Sequence, residues 1–314
     1  MRAFTAAAVQ VQPLHAALTR DSIAANVEHC VGFVQRCVAD TSAQLVVLPE
    51  TCTTGFTPGI GPEELWDVIG PLPHSGPGAS THEGAGEATA PLHAAAAELG
   101  IHLVYGGYER GPERGVVYNT AVLVGPDGGT LGVYRKTHPF CTETRSRGGW
   151  VTPGDDVCVV QTELGRIGLI ICFDGDFPEL SRINALKGAE VICRPSALLR
   201  SADIWELTNR ARAYDNHVFV IGANAVGIDP AGVLYFGNSM IVTPVAEVIA
   251  RGSTHESWAA AVLDPDRAMA SLTPGSSVPQ GFDHLADRNL DLLAKYSDRL
   301  AGPGATSFAF GSEA

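Results

Sequence analysis

Three residues of different chemistry each follow directly on a strand-like run. Glu50 closes VVLPE, Lys136 follows the aromatic–arginine pair of YRK, and Cys172 ends GLIIC. Short apolar runs bounded by turn signals are the mark of sheet-core strands. In α/β folds, chemistry gathers just beyond the carboxyl ends of strands. A thiol, a carboxylate and an ammonium in such places supply a nucleophile, a proton carrier and an oxyanion stabiliser without a histidine. That set points to hydrolytic acyl transfer.

Each residue also has a plainer reading. A free cysteine is most often a small buried hydrophobe. Here, however, Cys172 stands between a strand end and a helix opened by Pro178. The positive end of a helix dipole at that point would lower the thiol pKa. Partial burial would raise the pKa of Glu50. A lysine such as Lys136 is more often simply solvated. Glu143 lies in the long loop 137–156, seven positions after Lys136, where it would hold the ammonium or orient substrate. His138 invites a Cys–His pairing, but nothing in the sequence places it beside Cys172. Asp174 and Asp176 resemble a fragment of a calcium loop whose other ligands are missing. Asp174 reads better as a cap on the turn after Cys172, and Glu179 suits the next helix start. No zinc-ligand spacing occurs, so neither metal nor cofactor is expected.

The elements that must position these groups alternate along the chain. Strands are expected at residues 4–11, 45–48, 101–108, 118–124, 130–134, 157–161, 166–171, 191–194, 218–224, 240–242, 248–250 and 259–263. Helices are expected at 22–38 (with Asp21 as N-cap), 90–99, from Pro178, 202–216 and 285–300. Residues 70–86, rich in Gly, Pro, Ser and His, read as a surface loop. Hairpins mixed with crossover helices argue for layered α/β or α+β architecture. No internal repeat, GxGxxG or Walker pattern appears. Residues 1–275 read as one catalytic domain and 276–314 as an extension of one helix and a small-residue tail.

Composition narrows the partners. The 314 residues are 45% hydrophobic with a formal charge of −13, and the pI is about 5.1. An acidic surface repels phosphate backbones, which argues against nucleic acid. Seven scattered cysteines without CxxC suit a reducing compartment. The N-terminal apolar run is broken by Gln10 and Gln12, so it fits a first strand better than a signal peptide. No stretch reaches the roughly 18–20 apolar residues of a membrane span. A cytoplasmic protein is the expectation.

Taken together, the segments AVQVQP, LPE at Glu50, Tyr118-Asn119-Thr120, YRKTHPF, TPG at 152–154, GLIICFDGDFPE, KGAEVI and FGNSMIVTP resemble the nitrilase, or carbon–nitrogen hydrolase, superfamily. The resemblance spans residues 4–263. It implies a four-layer αββα sandwich, a homodimer or higher oligomer, a small amide substrate and no cofactor. It carries the family's base, oxyanion stabiliser and nucleophile onto Glu50, Lys136 and Cys172. Glu143 matches a second glutamate, although the stretch from it to the TPG is longer than in the family pattern. Phe173, through its backbone N–H, Tyr118 and Arg194 are the expected oxyanion and substrate contacts. Phe173-Asp174 in place of Trp-Glu, with Cys-x-Asp-Gly-x-x-Pro-Glu, resembles the amidase branches. The two acids after Cys172 would repel an anionic substrate. The alternative, an N-carbamoyl amidohydrolase, would use Arg194 as carboxylate anchor. A nitrilase and a silent binding subunit rank below both.

Overall fold

The computed structural model describes residues 1–14, 19–57, 59–69, 88–229, 231–266 and 283–301. The expected loop at 70–86, residues 58 and 70, the start of the C-terminal extension and the tail after 301 lie outside the described residues. The chain opens with β1 (Phe4–Gln10), α1 (Arg20–Thr41), β2 (Leu45–Val47), α2 (Pro62–Val68) and α3 (Ala90–Leu99). An antiparallel set follows: β3 (His102–Arg110), β4 (Val117–Val124) and β5 (Thr130–Arg135). The hairpin β6 (Cys158–Thr162) and β7 (Gly165–Leu169) leads into α4 (Pro178–Leu186), β8 (Val191–Ser196), α5 (Ala202–Asn216) and β9 (Phe219–Asn224). The chain continues with β10 (Val226–Ile228), β11 (Leu234–Phe236), β12 (Met240–Val242), β13 (Val248–Arg251), β14 (Ser257–Leu263), α6 (Leu290–Lys295) and α7 (Ser297–Ala301).

Among the described residues these form two six-stranded sheets, ordered β14-β1-β2-β3-β4-β5 and β13-β12-β9-β8-β7-β6. The centre of each is parallel, β1-β2-β3 in one and β7-β8-β9 in the other. Parallel strands covered on both faces are apolar throughout, which is why LVV and GLII were readable as strands. Alternation along β1 separates the layers. Ala6 and Ala8 enter the core shared with Ile167, Leu169 and Val220 of the second sheet. Ala7 and Val9 face the other way, onto Ile23, Val27, Val34 and Leu92 of α1 and α3. Leu180 of α4 and Trp205 of α5 cover the second sheet. The layers are therefore αββα.

Two local expectations are corrected. The N-cap of α1 is Thr19, not Asp21. Thr19 and Ser22 exchange side chain–backbone bonds as a capping box, and Asp21 falls in the first turn. The expected helix 285–300 is broken into α6 and α7. Asp283 accepts from the Leu285 and Ala286 N–H groups, and Asn289 starts a second cap at Leu292. The apolar side chains of that segment, Leu290, Leu292, Leu293 and Tyr296, are exposed. The short elements α2, β10 and β11 carried no readable sequence period.

A close approach fixes the turn after β2. A Cβ on Gly106 of β3 would stand 2.7 Å from the Thr51 nitrogen and 2.8 Å from Glu50 Cα. Gly106→Ala should therefore cost about 1–3 kcal/mol, typical of overpacking. Gly32, inside α1, meets only the flexible tip of Arg36 at 3.3 Å, and Gly32→Ala should gain about 0.5–1 kcal/mol of helix stability. Urea midpoints moving in opposite directions are expected. An unchanged midpoint in Gly106→Ala would contradict the packing argument.

Candidate functional site

The carboxyl ends of strands from both sheets meet at one place. Glu50 comes off β2, Cys172 follows β7 by three residues, Ala197 follows β8, and Lys136 follows β5. Glu50, Lys136 and Glu143 are all fully buried. Lys136 Nζ donates to Glu50 Oε1 at 2.7 Å and to Glu143 Oε2 at 2.5 Å. Asn119 Nδ2 reaches the same two carboxylates at 2.8 and 2.7 Å. The remaining Glu50 oxygen accepts the Ala197 N–H at 2.8 Å. Glu143 Oε2 accepts the Phe140 N–H at 2.8 Å.

Electrostatics follow from this geometry. Burial opposes the charge of Lys136, but Glu143 and then Glu50 outweigh it, so its pKa is raised and the ammonium persists. Burial pushes Glu143 upward, with Lys136 pulling it down and Glu50 raising it again.

Two non-glycine residues at the site sit in the left-handed region, Thr51 at φ 47° and Cys172 at φ 45°. Such backbone stores about 1–3 kcal/mol and persists only where surroundings enforce it. The enforcement at Cys172 is visible. Arg194 Nε and Nη2 clamp the Cys172 carbonyl at 2.9 and 2.6 Å. Asp174 accepts the Ile171 N–H at 2.9 Å, and the Asp174 N–H returns a bond to the Ile171 carbonyl. Gly175 leaves room for the guanidinium, because a Cβ there would stand 2.1 Å from Arg194 Cζ.

The long loop does not displace Glu143. The Val151 N–H bonds the Glu143 carbonyl at 2.9 Å, and Thr144 bridges to Val151. Residues 145–150 thus form a closed excursion that absorbs the extra length. The TPG segment braces the other end, with the Thr152 N–H on Val117 O and the Gly154 N–H on Lys136 O. Cys172 opens onto a narrow recess, part of it open to solvent. Phe56, Phe140, Phe173, Ala197, Leu198, Leu199 and Arg200 line it.

The family profile described as carbon-nitrogen hydrolase matches residues 5–271. This chain belongs to the carbon–nitrogen hydrolase family. It is similar to Omega-amidase NIT2 of Homo sapiens, 32% identical over 238 residues, covering 74% of this chain and 80% of the relative. It is 36% identical to a protein named nitrilase from Pyrococcus abyssi over 227 residues, 71% of this chain and 77% of that one. Among solved structures, a carbon-nitrogen hydrolase from Helicobacter pylori superposes with a TM-score of 0.76 at 26% identity, covering 97% of this chain and all of that one. Nit3 of Saccharomyces cerevisiae, described as a member of the nitrilase superfamily, superposes with a TM-score of 0.71 at 25% identity, over 89% of this chain and 96% of its own.

Within this carbon–nitrogen hydrolase, several expected contacts change. Tyr118 does not reach the cluster. Alternation turns it away from the face that Asn119 shares with the inner-core residues Ala121 and Leu123, and Arg135 stacks over its ring at 4.3 Å. The strand parity that distinguishes Asn119 from Tyr118 was the signal missed. Arg194 is fully buried, and its guanidinium is bonded to protein partners. Besides the Cys172 carbonyl it bonds Thr208 and Asn209, and burial lowers its pKa to about 10. The Cys172 thiol is raised, not lowered. Burial leads, Glu50 adds to it, and Lys136 and Arg194 oppose. The helix opened by Pro178 begins only after a 3-10 turn, Cys172–Asp176, so its dipole is not at the thiol. His138 stacks on Phe177 at 3.9 Å and pairs with Asp174 at 2.9 Å, which accounts for it structurally. Among the described residues no group of three or more His, Cys, Asp or Glu could hold a metal ion. No helix among them is long and apolar enough to cross a membrane.

The cause of the thiol shift gives a signed test. Glu50→Gln removes a negative charge that holds Cys172 protonated, while Lys136 and Arg194 remain. The midpoint of thiolate absorbance, read against Cys172→Ala in the same background, should move to lower pH in Glu50→Gln. An upward shift, or none, would mean that Glu50 does not face the thiol electrostatically.

Proposed function

We propose that this carbon–nitrogen hydrolase is an amidase, cleaving small linear amides to carboxylate and ammonia or amine through a thioester on Cys172. The observation that carries the reading is the fully buried Glu50–Lys136–Glu143 cluster beside a strained cysteine. An ammonium held by two carboxylates stays charged away from water, and a neutral thiol waits beside a base.

In the first half-reaction Glu50 takes the thiol proton as sulfur bonds to the amide carbonyl carbon. Negative charge moves to the carbonyl oxygen, where the Lys136 ammonium and the Phe173 N–H receive it. The tetrahedral adduct collapses, the C–N bond breaks, and Glu50 returns its proton to the departing nitrogen. In the second half, Glu50 deprotonates water, the oxygen adds to the thioester, and the C–S bond breaks to release carboxylate and restore the thiol. Glu143 keeps Lys136 charged and aimed. Splitting the role of base and oxyanion donor between two residues requires them not to exchange a proton. The second carboxylate on Lys136 supports that.

The similarity to omega-amidases supports an amide rather than a nitrile substrate. The N-carbamoyl alternative loses its basis, since the arginine meant to anchor the carboxylate is enclosed in the protein.

Ammonia release from short amides, matched nitriles and N-carbamoyl amino acids tests the reading. Turnover of amides is expected, and turnover of nitriles alone would overturn it. Cys172→Ala should abolish release while leaving the urea midpoint near wild type. Lys136→Met should lower kcat by at least about 10²–10³ as a lost oxyanion donor. By stranding two buried carboxylates it should also cost about 3–5 kcal/mol of stability. A loss of tenfold or less in kcat would reassign Lys136.

A further inference from the structure

Among the described residues, Glu50 Oε1 accepts from Lys136 Nζ and Asn119 Nδ2, and Glu50 Oε2 accepts from the Ala197 N–H. Glu143 Oε1 accepts from Asn119 Nδ2, and its Oε2 from Lys136 Nζ and the Phe140 N–H. Asn119 is thus a neutral group that touches both acids. One amide nitrogen directs its two N–H groups at two carboxylates, at 2.8 and 2.7 Å. Turned over, the amide would set an oxygen against two anions, so charge fixes its orientation. Its Oδ1 is buried with no hydrogen-bond partner among the described residues. A buried orphan acceptor is unfavourable, and the double donation on the other side offsets it.

The backbone makes this placement rigid. β4 is paired on both sides, with Asn119 opposite Tyr108 of β3 and Thr120 opposite Arg135 of β5. The Asn119 carbonyl accepts the Lys136 N–H at 2.8 Å. One residue therefore binds Lys136 through its main chain and both partners of Lys136 through its side chain. The consequence falls on Glu50. A carboxylate has about four lone-pair sites, two on each oxygen. On Oε1 both are taken, one of them by an ammonium. Oε2 keeps one open, and Glu50 is close enough to the Cys172 thiol to hold it protonated.

We propose that Asn119 is a positioning residue: with Lys136 it saturates Oε1 of Glu50, so that the proton exchanged with Cys172 and with the departing nitrogen is carried on Oε2. This rests on the amidase reading of the same site. As the thiol S–H breaks an Oε2–H forms, and that proton leaves on the ammonia or amine. Without the amide, Oε1 is open to a proton that competes with Lys136 for the same oxygen. Loss of the two N–H donors also favours the neutral form of both carboxylates. Burial already raises Glu143, and Lys136 and Asn119 are among the groups that oppose it. The other titratable groups facing the carboxylates, among the described residues, are the Cys172 thiol, Tyr108 of β3 and Tyr235 of β11. Burial raises all three, which keeps them uncharged.

The pH profile of kcat/KM on a short neutral amide tests this in wild type, Asn119→Leu, Asn119→Asp and Asn119→Ser. The reaction needs ionised carboxylates, so loss of their donors should move the acid limb to higher pH. Asn119→Leu should move it by about one unit, the usual size of environmental shifts. It should also lower kcat about tenfold or more at neutral pH, on the scale of general-base effects, with KM little changed. Part of that loss should return at higher pH. Asn119→Asp adds a third acid and should move the limb further, while Asn119→Ser keeps one donor and should fall between Asn119→Leu and wild type. In isotope-labelled wild type, the Asn119 side-chain N–H signals should resist exchange and shift across the pH range of the acid limb, which decides the matter if the variants do not fold. An acid limb unmoved in Asn119→Leu, a loss equal at every pH, or Asn119 signals indifferent to the limb would overturn the role of Asn119 alone. Wild type that releases no ammonia from amides would overturn the amidase reading and this proposal with it.

Discussion

The arrangement depends on one buried charge group. Two carboxylates, Glu50 and Glu143, and one ammonium, Lys136, are enclosed without exposure to solvent. Ions so placed cost several kcal/mol each unless paired and hydrogen-bonded. The partners are supplied by four separate parts of the chain: Asn119 from β4, the Ala197 N–H after β8, the Phe140 N–H from the loop and Lys136 after β5. The cluster is satisfied only when both sheets are in place. Fold and site are therefore coupled in one direction that matters: the sandwich does not merely carry the group, it supplies its counter-charges.

Close backbone approach is the second constraint. Gly106 lets β3 lie against the turn bearing Glu50, and Gly149 lets the loop excursion close on Glu143, where a Cβ would stand 2.1 Å from the Glu143 carbonyl carbon. Gly175 makes the space that Arg194 fills on its way to the Cys172 carbonyl. These three glycines each protect a different arm of the site. Arg194 then balances the strain of Cys172 and so acts on position and charge.

The sequence disclosed the elements better than their faces. The helices at 90–99 and 202–216 and the strand 240–242 agree with the structure at both ends. Glu50 and Cys172 stand beyond the ends of parallel strands, a placement that local pattern reveals, while Lys136 follows the antiparallel β5 and Glu143 lies in the loop after it. What stayed hidden required knowing burial or parity. Asn119 and Tyr118 are adjacent, and only the register of β4 shows which one faces the inner core. The rise in the Cys172 pKa comes first from enclosure, which no local motif reports. Asp174 and Asp176 look alike in sequence, yet one is consumed inside the turn and the other is held by two arginines, Arg194 and Arg200.

The central claim is a covalent acyl group on Cys172. Rapid acid quench during turnover of a slow amide, followed by intact-mass and peptide analysis, tests it directly. The account predicts a mass increase equal to the acyl group less one hydrogen atom, on the peptide containing Cys172, removed by hydroxylamine. Turnover with no adduct trapped on any time scale, or an adduct on another residue, would contradict it.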